Sequence, residues 1–393
     1  MNIVLDARWI FAETSGIGHY TRELIRHLLA QESGRRWTLL FDDAARAERL
    51  GAEWNLDRSS AARSELVPWG PFALRNQWAL PRRLRTMGAD VFHSPNWMIP
   101  YAAFSRRRGR GPVGVVTIHD LIPLLYPHFT PRARKTRLQP LFRWLFAETV
   151  RRADALIVPS ETTRRDLVRC FRLSETEAAR IAVIPEAADE RFRPPEPGAK
   201  PSAPTVLYVG RRDPYKNLPL LIEAFARLRA ACPAARLRAI GPPDPRYPEA
   251  EQTARRLGVE SAIEWSGHVG PDAVVAAYQQ ASVFAMPSRY EGFGLPLLEA
   301  MACGTPVVCS DAPALVEVAG GAALHVPAGD AAALAAALRR VLEEPALAAE
   351  LRARGLARAA RFSWRATAEA TQRVYEMAAR AKAEKLAGPR VRR

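Results

Sequence analysis

Glu291 and Glu299 stand eight positions apart, on either side of Gly292-Phe-Gly-Leu-Pro296. The apolar run 282–287 before them reads as a buried strand. Pro296-Leu-Leu-Glu-Ala-Met-Ala-Cys303 after them reads as the first turns of a helix, with proline early. A helix N-terminus favours anions. Gly292 and Gly294 let a ligand approach the backbone closely. Two acids beside such a turn suit a ligand that carries both hydroxyls and phosphate, and a sugar nucleotide fits. The same residues allow a plainer reading, with Glu299 a first-turn acid and Glu291 a solvated loop residue.

A second constellation is Gly210-Arg211-Arg-Asp-Pro-Tyr-Lys216-Asn217, just after the strand-like Thr205–Val209. Arg211 and Lys216 lie five apart. A departing nucleoside diphosphate gathers negative charge, which a metal or fixed cations must meet. No Asp-x-Asp metal motif stands in a suitable context, so the role falls to Arg211 and Lys216, and no metal or other cofactor is expected. The helix N-terminus at Leu295 and Pro296 adds backbone donors. A bidentate Arg and a point-charge Lys complement each other. The alternative is two surface cations in a basic protein, and Arg212 is an ambiguous neighbour.

His119 ends the apolar strand 112–118 and precedes Asp120. A lone histidine is commonly structural, but its place after a strand makes it a cleft candidate that Asp120 is able to orient. His93, followed by Ser94 and Asn96, is a weaker cleft candidate. Gly16 and Gly18 precede a helix and allow close approach to donor phosphate or acceptor; a tight structural turn explains them equally well.

These residues need a frame that sets them on one edge. A chain of 393 residues suggests two domains. Strand-like and helix-like segments alternate over residues 1–192, the expected N-terminal domain. A proline-rich linker, 193–204, follows. The alternation resumes over 205–365, the expected nucleotide-sugar domain. Residues 366–393 hold a last helix, expected to cross the domain junction, and a basic tail. Strands separated by helices of this length argue for α/β parallel sheets, here two doubly wound, Rossmann-like domains facing across a cleft. Ligands bind such sheets beyond the carboxyl ends of the strands. Gly16, His119, Arg211 and Glu291 all fall just after expected strands.

Composition narrows the class. The net charge of +16 invites nucleic acid, anionic lipid or phosphorylated substrates. It gathers at Arg106-Arg107-Arg108-Gly-Arg110, at residues 132–137, at Arg151-Arg152 and in the tail from Arg380, as well as on Ala/Arg/Leu helices. Those clusters fit either docking to an anionic membrane or a solvated face. A nucleic-acid binder is the alternative from another class, but neither a recognition motif nor a basic and aromatic stacking platform is present. A dinucleotide dehydrogenase needs Gly-x-Gly-x-x-Gly, and Gly16-Ile-Gly-His-Tyr-Thr lacks the third glycine. No apolar run is long enough to span a bilayer, and Met1-Asn-Ile-Val-Leu-Asp6 reads as a strand, not a signal peptide. Cys170, Cys232, Cys303 and Cys309 are scattered, as expected of reduced thiols in a cytoplasmic protein.

Glu291-Gly-Phe-Gly-Leu-Pro-x-x-Glu299, the following Ala300-Met-Ala-Cys-Gly-Thr-Pro-Val-Val308 and Gly210–Asn217 resemble the retaining GT-B glycosyltransferases of family 4. Gly16-Ile-Gly-His-Tyr-Thr-Arg22, Ile118-His-Asp-Leu-Ile-Pro123 and Val158-Pro-Ser160 are similar to that family's acceptor-domain signatures. The resemblance implies that Glu299 holds the ribose hydroxyls and Glu291 the donor sugar. It implies that Gly292, Phe293, Gly294 and Leu295 border the donor, and that His119 contacts the sugar near O6. It further implies that the donor's own phosphate oxygen takes the acceptor proton, so no enzymic nucleophile is needed. The texture of His119–Pro123 and Asp213–Asn217 is most similar to bacterial mannosyltransferases of surface polysaccharide or lipopolysaccharide assembly. That implies GDP-mannose as donor, a glycan or lipid-linked acceptor, and a place in the cytoplasm or at the inner face of the membrane; a UDP-sugar donor is the alternative. One departure stands out. Many members of the family it resembles carry Pro-Asn-Gly-x-Asp at the domain junction, whereas this chain has Pro185-Glu-Ala-Ala-Asp189, which leaves Glu186 as an acceptor-side or cleft candidate.

Overall fold

The structure is a computed structural model of the chain that describes all residues except 12–15, 32–33, 57–60, 105–110, 128–138, 197–202 and 388–393. The arginine clusters at 106–110 and 132–137, the middle of the linker and the tail beyond residue 387 therefore lie outside the described residues.

Two all-parallel sheets form the frame. The first holds β1 (Asn2–Leu5), β2 (Arg36–Phe41), β3 (Ala62–Leu66), β4 (Val91–Ser94), β5 (Val113–Thr117), β6 (Ala155–Val158) and β7 (Ile181–Val183). Their order is β3-β2-β1-β4-β5-β6-β7. The second holds β8 (Thr205–Val209), β9 (Arg236–Ile240), β10 (Ile263–Gly267), β11 (Val283–Met286), β12 (Val307–Ser310) and β13 (Leu324–Val326), in the order β10-β9-β8-β11-β12-β13. Helices cover both faces, which is why the central strands are apolar throughout: Ile3, Val4, Leu5, Val283, Phe284 and Ala285 are fully buried. The strand β3 escapes a reading by apolar pattern because Ala-Arg-Ser-Glu-Leu lies at the sheet edge and is largely exposed.

The strand order creates a switch point in each half. In the second sheet β8 lies between β9 and β11, so the chain leaves β8 in one direction and returns to its other side at β11. Arg211 and Lys216 follow β8, and Glu291 follows β11, so both loops open onto the crevice where such sheets take ligands. In the first sheet β1 lies between β2 and β4, and the loops after β1, β4, β5 and β6 share one edge.

The closing helix, Trp364–Ala387, packs on the first half from its first residue, while Phe362 just before it touches Phe293 of the second. Trp364, Ala368, Tyr375 and Ala378 are buried among Tyr20, Leu24 and Leu28 of the helix Gly16–Leu29. Thr367 Oγ1 donates to the Pro185 carbonyl at 2.7 Å, and Lys382 Nζ donates to Asp154 at 3.0 Å. No helix among the described residues is long and apolar enough to cross a membrane.

Tyr375 is the main anchor of that helix, fully buried with its hydroxyl 2.7 Å from His93 Nδ1. Tyr375→Ala should cost about 3–5 kcal/mol, and Tyr375→Phe about 1–3 kcal/mol through the polar partner left unpaired. Urea unfolding curves check both; losses under ~0.5 kcal/mol would show that the helix end is not part of the first core.

Candidate active site

The second half supplies one wall. A 3-10 turn, Pro214–Lys216, ends at Asn217 with φ of 58°. Asn217 Nδ2 donates to the Pro287 carbonyl at 3.3 Å, and Arg289 N donates to the Tyr215 carbonyl at 2.7 Å. These bonds tie the loop after β8 to the loop after β11. The result is a buried ion pair: Lys216 Nζ lies 2.7 and 3.0 Å from the two oxygens of Glu291. Arg211 is more open, with its Nε 2.8 Å from Asp213 Oδ2. Its neighbour Arg212 is committed elsewhere, paired with Glu251 and lying 4.7 Å from the Trp265 ring centroid. Beyond the turn, Gly294 has φ of 107° and caps the helix Leu295–Ala302, whose first turn carries partial positive charge. Phe293 is buried against Phe362, so its ring packs the domain rather than facing a ligand. Glu299 sits on that helix and accepts from the Tyr278 hydroxyl at 2.9 Å. Burial pushes its carboxyl up to about 7, against the opposing effect of that hydrogen bond. Among the described residues, no group of three His, Cys, Asp or Glu side chains could hold a metal ion.

The first half supplies the facing wall, and the two are in contact. Ser160 caps the helix Glu161–Phe171 and does more. Its Oγ donates to the Gly292 carbonyl at 2.6 Å, and Thr163 Oγ1 donates to the same oxygen at 3.0 Å. Tyr290 OH donates to Asp166 at 2.6 Å. Glu317 accepts from the backbone N–H groups of Glu161 and Thr162, at 2.6 and 2.9 Å. A Cβ at Gly292 would overlap the His119 carbonyl oxygen, although the backbone of Gly292 is not in the left-handed region. Close approach of the two domains, not conformational freedom, is what requires glycine there.

His119 is held at both ring nitrogens. Nδ1 lies 3.0 Å from Glu186 Oε1, and Nε2 lies 3.0 Å from the Pro95 carbonyl. Two acceptors suit an imidazolium. Burial opposes that charge, but Glu186, the Pro95 carbonyl and Asp120 outweigh it and raise His119 above its ordinary value. This corrects the sequence expectation that Asp120 orients the ring: Asp120 Oδ1 instead accepts from Ile122 N at 3.0 Å. The unusual Glu186 is the partner, and Ala187 beside it is fully buried in the first core.

Other expectations move. His93 is not in the cleft. It is fully buried, bonded to Tyr375 OH and to Thr117 Oγ1 at 2.9 Å, and burial drives its pKa down to about 3. Asn96 is nearly buried and uses its Oδ1 on its neighbour's N–H, Trp97, at 2.7 Å. Gly16 opens its helix exposed, with free space where a Cβ would be, while Gly18 is buried. Sequence reasoning missed Tyr278, Tyr290, Asp166 and Glu317 altogether. Each acts through a contact between distant segments, and only the acid left at Glu186 carried a readable signal.

Glu186→Gln should lower the His119 pKa, measured by NMR titration of the ring protons. The sign follows: a raised histidine stabilises the fold fully below about 6.5, and the gain is lost as pH rises through its native value. Melting curves across that window should flatten in the variant, and an unchanged titration would sink the pairing.

The family model "Glycosyltransferase Family 4" matches residues 14–192, and "Glycosyl transferases group 1" matches residues 189–358. The chain is 28% identical to O-antigen chain mannosyltransferase B of Escherichia coli, over 96% of this chain and 100% of that one. It is 31% identical to a glycogen synthase of Mycobacterium tuberculosis (strain CDC 1551 / Oshkosh), over 75% of this chain and 70% of that one. Sucrose-phosphate synthase from Thermosynechococcus elongatus superposes with a TM-score of 0.75 at 24% identity, covering 97% and 99% of the two chains. Two parallel-sheet domains closed on a shared crevice, read with these matches, place the chain among the family 4 glycosyltransferases of GT-B fold.

Proposed function

We propose that this glycosyltransferase moves mannose from GDP-mannose, with retention and without a metal, onto a glycan or lipid-linked acceptor at the cytoplasmic face of a membrane. The observation that carries the reading of the site is the Lys216–Glu291 pair at the switch point of the second sheet. The end-to-end likeness to an O-antigen mannosyltransferase supports the choice of sugar.

In the free protein Lys216 and Glu291 satisfy each other. Donor entry exchanges that pair. Lys216 turns to a diphosphate oxygen, joined by Arg211, and Glu291 becomes free to accept from the sugar's hydroxyls. As the glycosidic phosphate bond breaks, charge grows on the leaving oxygen, where fixed cations stabilise it most. That oxygen takes the proton of the incoming acceptor hydroxyl. His119 supplies positive charge from the opposite wall while its ring stays held by Glu186 and Pro95. Glu299 receives the ribose hydroxyls, and this requires its ionised form.

Two tests follow. A panel of nucleotide sugars is scored by thermal shift; a ligand at 100 times its Kd stabilises by about 2.7 kcal/mol. GDP-mannose should raise the melting temperature. Stabilisation by UDP-sugars and not by GDP-mannose would overturn the donor assignment. Lys216→Ala and Glu291→Ala should each lose about 10²- to 10³-fold in transfer while melting as folded proteins, and full activity in both would remove the mechanism. GDP affinity should also strengthen as pH rises through about 7, where Glu299 ionises. Calorimetric titrations from pH 6 to pH 8 should lose that slope in Glu299→Gln.

A further inference from the structure

The loop after β3 and the 3-10 turn Leu74–Gln77 carry side chains that nothing in the site uses. Phe72 is 64% exposed, Leu74 77% and Trp78 53%. Phe11, from the loop after β1, joins them: its ring and that of Phe72 both meet Trp9 edge-on, at 6.0 and 5.3 Å between centroids. Large apolar groups clustered in water mark an interaction surface.

The loop is pinned from beneath. Arg8 is buried, holds Asp6 through two bonds of 2.7 and 2.8 Å, and reaches the Trp69 carbonyl and Asn76 Oδ1 at 3.0 and 2.9 Å. Asn76 Nδ2 donates to the Gly70 and Pro71 carbonyls at 3.1 and 2.8 Å. This knot fixes the loop so that its apolar tips face outward.

Charge names the partner. No acid occurs between Glu65 and Asp90, while Arg75, Arg82 and Arg85 are exposed there. Aromatic and aliphatic tips ringed by arginines suit the headgroup boundary of an anionic bilayer. Position agrees. The rim follows β1 and β3, on one side of β4, whereas the domain contact follows β5 and β6, on the other side, and all four loops lie on the carboxyl edge of one sheet. The rim therefore shares the cleft-facing edge of that sheet.

We propose that Phe11, Phe72, Leu74 and Trp78, with their flanking arginines, seat the first domain on an anionic phospholipid surface, so that a membrane-borne acceptor enters the cleft from that side. The route of the acceptor rests on the function proposed above; the docking does not. The full chain is floated with phosphatidylglycerol/phosphatidylcholine vesicles and with phosphatidylcholine alone, at low and physiological salt. It should rise with the anionic vesicles, less so at higher salt. Leu74→Ser with Trp78→Ser, and separately Arg82→Glu with Arg85→Glu, should each weaken binding at least about tenfold with melting temperature unchanged. No flotation with anionic vesicles, or equal flotation by the variants, overturns the proposal. So does a dimer in sedimentation that Trp78→Ser disperses, because a second copy then owns the rim. Thermal shift with GDP-mannose on the same proteins separates the two readings: its absence counts against the donor assignment and leaves the docking result standing.

Discussion

The Gly292 carbonyl is the point on which both walls of the cleft converge. Ser160 and Thr163 donate to it from the first domain, while the residue's missing side chain lets the His119 carbonyl close in from beside it. Glu291 is the adjacent residue, so whatever positions Gly292 also positions the carboxylate that faces the donor. A hydrogen bond between domains is worth little against the freedom lost on closing, about 1 kcal/mol each. This junction therefore uses several, through Tyr290–Asp166 and the Glu317 carboxylate on the helix Glu161–Phe171. The catalytic geometry and the closed state are one set of contacts.

The cleft also keeps its charges partnered. A buried charge left alone is costly, and a buried pair roughly breaks even. Lys216 holds Glu291 on one wall, and Glu186 holds His119 on the other. The Lys216–Glu291 pair is exchangeable, since a diphosphate replaces the carboxylate and sugar hydroxyls replace the ammonium. His119, paired with Glu186, is held by a third partner, the Pro95 carbonyl, and this set of acceptors favours the imidazolium on that wall.

Much of this frame is legible in the sequence, for physical reasons. Fully buried parallel strands read as unbroken apolar runs, and β8 and β11 stand out for that reason. The spacing of Glu291 and Glu299 survives because one loop and one helical turn fix it locally. What escapes depends on distance along the chain. The edge strand β3 has too little apolar pattern, and His93 looked like a cleft residue because its partner Tyr375 lies 282 positions away. Glu186 was visible as an odd charge at the domain junction, but its partner was not, since the 67 residues to His119 fold back only through β6 and β7.

Gly292→Ala tests the central claim most directly, because its backbone tolerates a side chain and only the contact with His119 does not. The measurement is steady-state transfer beside nucleotide thermal shift on the same protein. If domain contact assembles the site, the second domain still binds nucleotide and shows its thermal shift, while kcat falls by about 10²-fold. Transfer at the wild-type rate would show that the site works without the two walls meeting.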